Sequence, residues 1–299
     1  MRIGLLLDAP MRPEAIDELR EKLIRASQEG FASVWMPHIF GLDALTALAV
    51  TGPDAPDIEL GTAVVPSYPR HPAALAQQAL TVDAVVGGRL TLGVGLSHRF
   101  ITEGMYGYSY DKPIRHMREY LSVLIPLLRG GQVDFDGETV SAHMRLTTPS
   151  KGAMQVLIAA LAPQMLKLAG RVADGTILWM TGPGTVANHA IPTITAAAEG
   201  RPHPRIVCAL PVCVTDDVAA ARARAGQVYR AYTDVPSYRA MLDREGAAGP
   251  ADVALVGDEK TVADQLGLLS DAGVTDFVAS EFASGTDAVR TREFLRSLL

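Results

Sequence analysis

Short runs of apolar residues alternate along this chain with longer stretches in which apolar side chains recur every three to four positions. The short runs predict buried strands at 3–7, 32–36, 58–65, 90–96, 155–160, 176–180, 205–214 and 275–280. The longer stretches predict helices over 12–29, about 42–50, 72–86, about 113–128, 216–232, 261–272 and 287–298, with Gly30 and Gly87-Gly88 as stops. Strands five and six are each followed by a further helical pattern. Eight strand–helix pairs predict an α/β fold of the (β/α)8 TIM-barrel type, a single domain over 1–299 with insertions. An open doubly wound sheet is the competing arrangement. A hairpin insertion is expected at about 131–150, with Asp136-Gly137 as its tight turn. Residues 97–112 read as a polar loop, and about 233–252 as an irregular, mobile segment.

Composition narrows the function. The formal net charge is −6, with no block of like charge, which argues against nucleic acid as a partner. Cys208 and Cys213 are the two cysteines; their odd spacing puts them on opposite faces of a strand, so buried inert thiols are expected. No apolar run approaches a membrane span, and Asp8 and Pro10 break the first one too early for a signal peptide. A soluble cytoplasmic protein acting on a small molecule is expected.

In a barrel of this kind, chemistry sits at the carboxyl ends of the strands. The residues there are Asp8; Pro37 and His38; Val64 and Val65; Ser97 and His98; Leu161 and Ala162; Thr181 and Gly182; Glu281 and Phe282. Gly93-Val94-Gly95 is half a dinucleotide fingerprint, but His98 stands where the third glycine belongs. The two glycines are better explained by close approach of a ring or loop to the strand end. His38 and His98 are placed to face a central cavity, either as proton donors or as imidazoles satisfied by backbone. His71, before Pro72, reads as a helix cap. No two histidines share a strand at alternate positions, so a metal site is not expected. Walker A, H-E-x-x-H and G-x-S-x-G sequences are also lacking. Pro163 and the run Thr181-Gly182-Pro183-Gly184 open helices and offer anion seats, or ordinary turns. Tyr106, Tyr108 and Tyr110 alternate in the long loop, as packing or as a lid.

Several longer stretches carry a resemblance. They are Glu59-Leu60-Gly61-Thr62-Ala63-Val64-Val65-Pro66 with Arg70-His71-Pro72-Ala73-Ala74-Leu75-Ala76-Gln77-Gln78, and Gly88-Arg89-Leu90-Thr91-Leu92-Gly93-Val94-Gly95. Leu168-Ala169-Gly170-Arg171-Val172-Ala173-Asp174-Gly175 and Leu269-Ser270-Asp271-Ala272-Gly273-Val274-Thr275-Asp276 continue it. Over nearly the whole chain the protein resembles the bacterial luciferase-like flavin and deazaflavin oxidoreductases, most of all the branch using the deazaflavin coenzyme F420. The resemblance implies a (β/α)8 barrel, commonly homodimeric, with the cofactor ring resting at the carboxyl face on Ala63, Val64 and Val65. It implies a non-prolyl cis peptide at Ala63–Val64 and Ser97 at the ring edge. The phosphate maps to Ala160, Leu161 and Ala162 with Thr181 and Gly182. Leu161 brings no hydroxyl, and Ala162 is bulkier than the glycine usual there. Pro37-His38 stands where relatives often carry Asp-His, and His98 replaces the carboxylate of sugar-phosphate-oxidising members. The implied activity is hydride transfer between F420 and an unidentified small organic substrate, with His38 or His98 moving the proton. The alternatives are an FMN-dependent monooxygenase using O2, a non-catalytic flavin- or deazaflavin-binding protein, and a metal-dependent barrel hydrolase.

Overall fold

The computed structural model describes residues 1–7, 14–149 and 154–299. Eight parallel strands run β1 (Arg2–Leu6), β2 (Ser33–Met36), β3 (Glu59–Thr62, resuming as Val65–Pro66) and β4 (Leu90–Gly95), then β5 (Val156–Ala159), β6 (Gly175–Trp179), β7 (Arg205–Val214) and β8 (Asp276–Glu281). Each pairs with its neighbours in sequence, and β8 closes on β1 with Ile3 opposite Phe277. The sheet is therefore a closed barrel and not an open one. Its strands are buried on both faces, which is why they read as continuous apolar runs.

The helices are α1 (Ala15–Gln28), α2 (Ala44–Thr51), α3 (Pro72–Val85), α4 (Pro113–Leu128), α5 (Pro163–Val172), α6 (Ile191–Ala197), α7 (Val218–Val228), α8 (Pro236–Glu245), α9 (Glu259–Ala272) and α10 (Thr286–Ser297). Their starts follow local chemistry. Proline occupies the first position of α3, α4, α5 and α8, where its missing N–H costs nothing. Asp43, Asp217 and Asp258 cap α2, α7 and α9 by accepting from Thr46, Ala220 and Thr261. His71 caps α3 as expected: its Nδ1 accepts from the Ala73 amide at 3.3 Å. The hairpin forms from Gln132–Asp136 and Ser141–Arg145.

Three segments differ from the sequence reading. The loop 97–112 contains a helical turn and a half, Arg99–Gly104. The stretch 233–252, expected to be irregular, is largely helical, as α8 and Pro250–Val253. An extra strand, Leu255–Gly257, pairs with the outer part of β7. Asp8 and the expected helix start at Arg12 lie outside the described residues. Among the described residues, no helix is long and apolar enough to cross a membrane.

The barrel interior is layered. At its amino-terminal end, Arg205 donates to Asp276 at 3.0 and 2.8 Å, to Glu59 at 2.6 Å and to Gln155 at 2.7 Å. Arg2 closes the same network on Asp276 and Glu59 at 2.5 and 2.9 Å. Above lies an apolar layer of Trp35, Leu157, Ile177, Val207, Ala209 and Val278. Leu6, Ala63, Val64, Ala159 and Trp179 pack on that layer and stay partly exposed at the carboxyl end. Both cysteines are buried.

Candidate active site

The five residues just named form an apolar floor at the strand ends. Its centre is the interruption of β3, where the Ala63–Val64 peptide is cis, as the resemblance implied. The half-fingerprint on β4 now has its explanation. A Cβ on Gly95 would meet Val64 Cγ2 at 2.5 Å and the Ala159 methyl at 3.2 Å, and one on Gly93 would meet Val64 Cγ1 at 3.0 Å. The glycines exist so that the β3 bulge can enter the barrel mouth, not to cradle a pyrophosphate.

His38 stands at one side of this floor. Its Nδ1 accepts from the Ala44 amide at 3.3 Å, at the start of α2, so the proton of the neutral ring is on Nε2. Burial, with the Arg70 guanidinium adding to it, holds the imidazole below its ordinary value of 6.5, against the pull of Asp43 at 3.9 Å. Behind it, Asp43 is engaged by Arg70 and by Gln78 at 3.4 Å, while Arg70 donates to Gln78 at 2.8 Å. His38 is thus a neutral N–H donor in a fixed orientation, backed by Asp43, Arg70 and Gln78. These three were missed as site residues, although Asp43 carries a cap signal and Arg70 and Gln78 lie within the resembling stretch.

His98 has different surroundings and shares no partner with His38. It stacks on Phe100 at 5.9 Å between centroids and meets Tyr238 edge-on at 5.4 Å. Burial lowers its pKa, so this ring is also neutral near pH 7. From Tyr238 the aromatic contacts run on without a break. Tyr238 meets Tyr232 at 5.3 Å, Tyr232 meets Trp179 at 5.6 Å, Trp179 meets Tyr229 at 5.8 Å, and Tyr229 meets Phe282 at 5.9 Å. The Tyr229 hydroxyl shares a 3.0 Å hydrogen bond with Ser280 of β8. The segment from Tyr229 to Tyr238 therefore reaches the rim at β8, β6 and β4, forming an aromatic strap along half the mouth. Its signal in the sequence is the spacing of Tyr229 and Tyr232, one helical turn apart in a segment read as irregular beyond 232.

The other expected residues divide. Ser97 has a left-handed backbone (φ 61°), and its carbonyl accepts from the Tyr110 hydroxyl at 3.5 Å. Tyr110 folds inward onto Tyr68, with centroids 5.4 Å apart, while Tyr106 and Tyr108 stay exposed. A cleft of about 410 Å3 opens beside them, between Tyr108, Lys112 and Glu138. Val65 is fully buried in the outer core and faces away from the floor, unlike Ala63 and Val64. Ala160 is likewise buried in that core. Leu161 offers its carbonyl to His189 Nε2 at 2.9 Å, and Ala162 opens α5 exposed and with no side-chain cap.

Thr181 and Gly182 do not present the open seat expected of them. The Thr181 hydroxyl is buried and donates to the Trp179 carbonyl at 3.2 Å. The amides beyond Gly182 are taken by Glu245, the last residue of α8: Gly184 N–H donates to Oε1 at 2.9 Å and Thr185 N–H to Oε2 at 2.6 Å. A carboxylate thus sits where an anion was expected. The contact spans sixty-odd residues of chain, and no local pattern announces it.

A cavity of about 800 Å3 also opens at the opposite end of the barrel, lined by Arg2, Glu59, Arg205 and Asp276. Those groups pair with one another, and the end is the one that carries stability in this architecture. The mouth with the floor is the candidate site.

Comparison with known proteins agrees with this geometry. The luciferase-like monooxygenase family model matches residues 1–276. The chain belongs to that family. It is accordingly an enzyme of the luciferase-like oxidoreductase kind. Over 262 residues it is 29% identical to a 5,10-methylenetetrahydromethanopterin reductase of Methanolobus tindarius, covering 86% of this chain and 79% of the relative. Over 145 residues it is 34% identical to an F420-dependent glucose-6-phosphate dehydrogenase of Mycobacterium avium, covering 45% of this chain and 42% of the relative. Among solved structures, the coenzyme F420-dependent tetrahydromethanopterin reductase of Methanopyrus kandleri superimposes with a TM-score of 0.82 at 22% identity, over 99% of this chain and 97% of that one. That likeness shares the fold.

Proposed function

We propose that this oxidoreductase binds coenzyme F420 across the barrel mouth and exchanges a hydride with a small uncharged organic substrate. The observation that carries the reading is the partly exposed apolar floor of Leu6, Ala63, Val64, Ala159 and Trp179, with His38 beside it held in one orientation by the Ala44 amide. A surface of this kind matches the face of a flat heterocycle, and the F420-dependent relative supports the choice of ring. When bound, the deazaflavin supplies the hydride chemistry. The protein's own residues do the rest. Val64 and Ala63 support the ring face, and Ser97 lies at its edge. His38 offers Nε2–H to the reacting side and can deliver the accompanying proton. His98, stacked on Phe100 and edge-on to Tyr238, belongs to the wall and not to the proton path. The exposed opening of α5 at Ala162 and Gln164 takes the phosphate, since the Gly184 and Thr185 amides are held by Glu245. A cytoplasmic homodimer is part of the same reading; light scattering should give twice the 31.8 kDa chain mass.

The test is co-elution of F420 with the purified protein on gel filtration. The wild type should carry the cofactor, and Val64→Asp, which puts a charge into the floor, should release it while the barrel still melts cooperatively. Co-elution unchanged in Val64→Asp contradicts the placement. FMN run in parallel separates the flavin alternative.

A further inference from the structure

We propose that the strap 229–245 is the substrate wall of this site, that it selects an uncharged ring-bearing molecule, and that Glu245 is the positioning residue that sets it. The proposal rests on the reading above for where the cofactor lies, and it deepens that reading to a substrate class.

The wall is built from rings set nearly perpendicular to one another. Tyr232 meets Trp179 at 78° and Tyr238 meets Tyr232 at 84°. A flat molecule parallel to one of these rings therefore lies edge-on to the next, the arrangement aromatic pairs prefer. His98 closes the β4 side at 65° to Tyr238, and its lowered pKa keeps that side uncharged near neutrality. At the wall itself Glu245 is engaged by two amides and Glu281 by Arg292, while Arg230, Asp234 and Arg244 of the strap are exposed. A phosphorylated substrate would have to break one of these pairs or leave its charge against apolar rings, and an uncharged ring does neither.

Glu245 makes the wall a fixed surface. Gly246 ends α8 in the left-handed conformation (φ 74°), and the carboxylate just before it bridges to the amides that follow β6. Arg239, one residue beyond Tyr238, braces the same turn through the Ala247 and Ala248 carbonyls at 2.6 and 2.8 Å. Gly182 admits the contact, because a Cβ there would strike the Glu245 carboxyl group. The helix carrying Tyr238 is thus linked at one end through Tyr232 to Trp179, and at the other through Glu245 to the amides that follow β6.

The experiment uses the cofactor-free protein and two probes with the same ring, 4-nitroacetophenone and 4-nitrophenyl phosphate, both followed by quenching of tryptophan fluorescence. Trp35 is fully enclosed, so the mouth is reported by Trp179, and Trp179→Phe assigns the signal. The neutral ketone is expected to quench saturably, and the phosphate ester to bind at least about tenfold more weakly. Tyr238→Leu, which keeps apolar bulk and drops the ring, should weaken the ketone by about fivefold, while Tyr238→Phe restores it. Glu245→Ala should weaken the ketone similarly and Glu245→Gln less, since one acceptor oxygen survives. Equal binding of the two probes, or ketone binding unchanged in both Tyr238→Leu and Glu245→Ala, overturns the proposal. Titration of F420 into the same wild-type preparation is read separately, so a failure of the cofactor reading shows there and not in the probe series.

Discussion

Arg205 and Val64 both face the interior of one barrel, near its opposite ends, and they are held in contrary ways. At the Arg205 end Arg2, Glu59, Arg205 and Asp276 pair with one another: burial works against Asp276, yet its hydrogen bonds from Arg205 and Thr275 keep its carboxyl below the ordinary 3.8. At the Val64 end the interior is apolar, the floor is left partly open, and polar groups such as His38 are neutral and directed by backbone. The first end spends its polar groups on one another, which leaves them nothing to offer a ligand. The second has the apolar contact area and the free N–H that recognition of a flat molecule needs. The contrast explains why a roomy cavity at the amino-terminal end is not the site.

The comparison breaks most visibly at Arg205. Arg205→Ala strands Asp276 and Glu59 without their main partner and should cost about 3–5 kcal/mol in urea unfolding. F420 affinity of the protein that remains folded should change by less than about twofold, as distant sites are nearly additive. An affinity loss of tenfold would join the two ends and defeat the distinction. At the other end, His38→Ala should lower turnover by about a hundredfold or more with little change in cofactor affinity or melting temperature. If turnover survives, another group moves the proton.

Gly95→Ala sharpens the contrast from the packing side. The added methyl meets Val64 and Ala159 and should cost about 1–3 kcal/mol by overpacking, with weaker cofactor binding as Val64 is displaced. Unfolding and binding titrations on one preparation separate the two effects. A pH dependence sharpens the contrast further. His116 lies face to face with Tyr68 at 4.0 Å, and burial pushes its pKa down to about 4 from 6.5, with Glu119 opposing. Between those values the unfolded chain binds more protons than the folded one, so stability should fall as pH drops from 6.5 toward 4 and level off below. His116→Phe should flatten this part of the profile; an unchanged slope would assign it to other groups.

The sequence made the barrel legible because its strands are buried on both faces and its helices begin with strong local signals. The span of β7 is legible to the residue and that of α4 closely, α4 because Pro113 opens it and Gly130 follows its end. The strap was not legible. α8 has a weak apolar face, and it is held by a carboxylate on two remote amides and by rings from two other segments, His98 and Tyr232. His38 was found from its place after a strand, but its tautomer depends on the Ala44 amide, which only the fold brings to it. Thr181 and Gly182 have the right composition for an anion seat, and what fills that seat lies some sixty residues on. Local chemistry shows what a turn can hold; only the tertiary structure shows what already holds it.

The most direct test of the account is an equilibrium titration of F420 and, separately, FMN into the purified protein, followed by Trp179 fluorescence. The account predicts saturable quenching by F420 at one site per chain, abolished by Val64→Asp and retained in Arg205→Ala. Saturable quenching by FMN alone, or F420 binding that survives Val64→Asp, would contradict it.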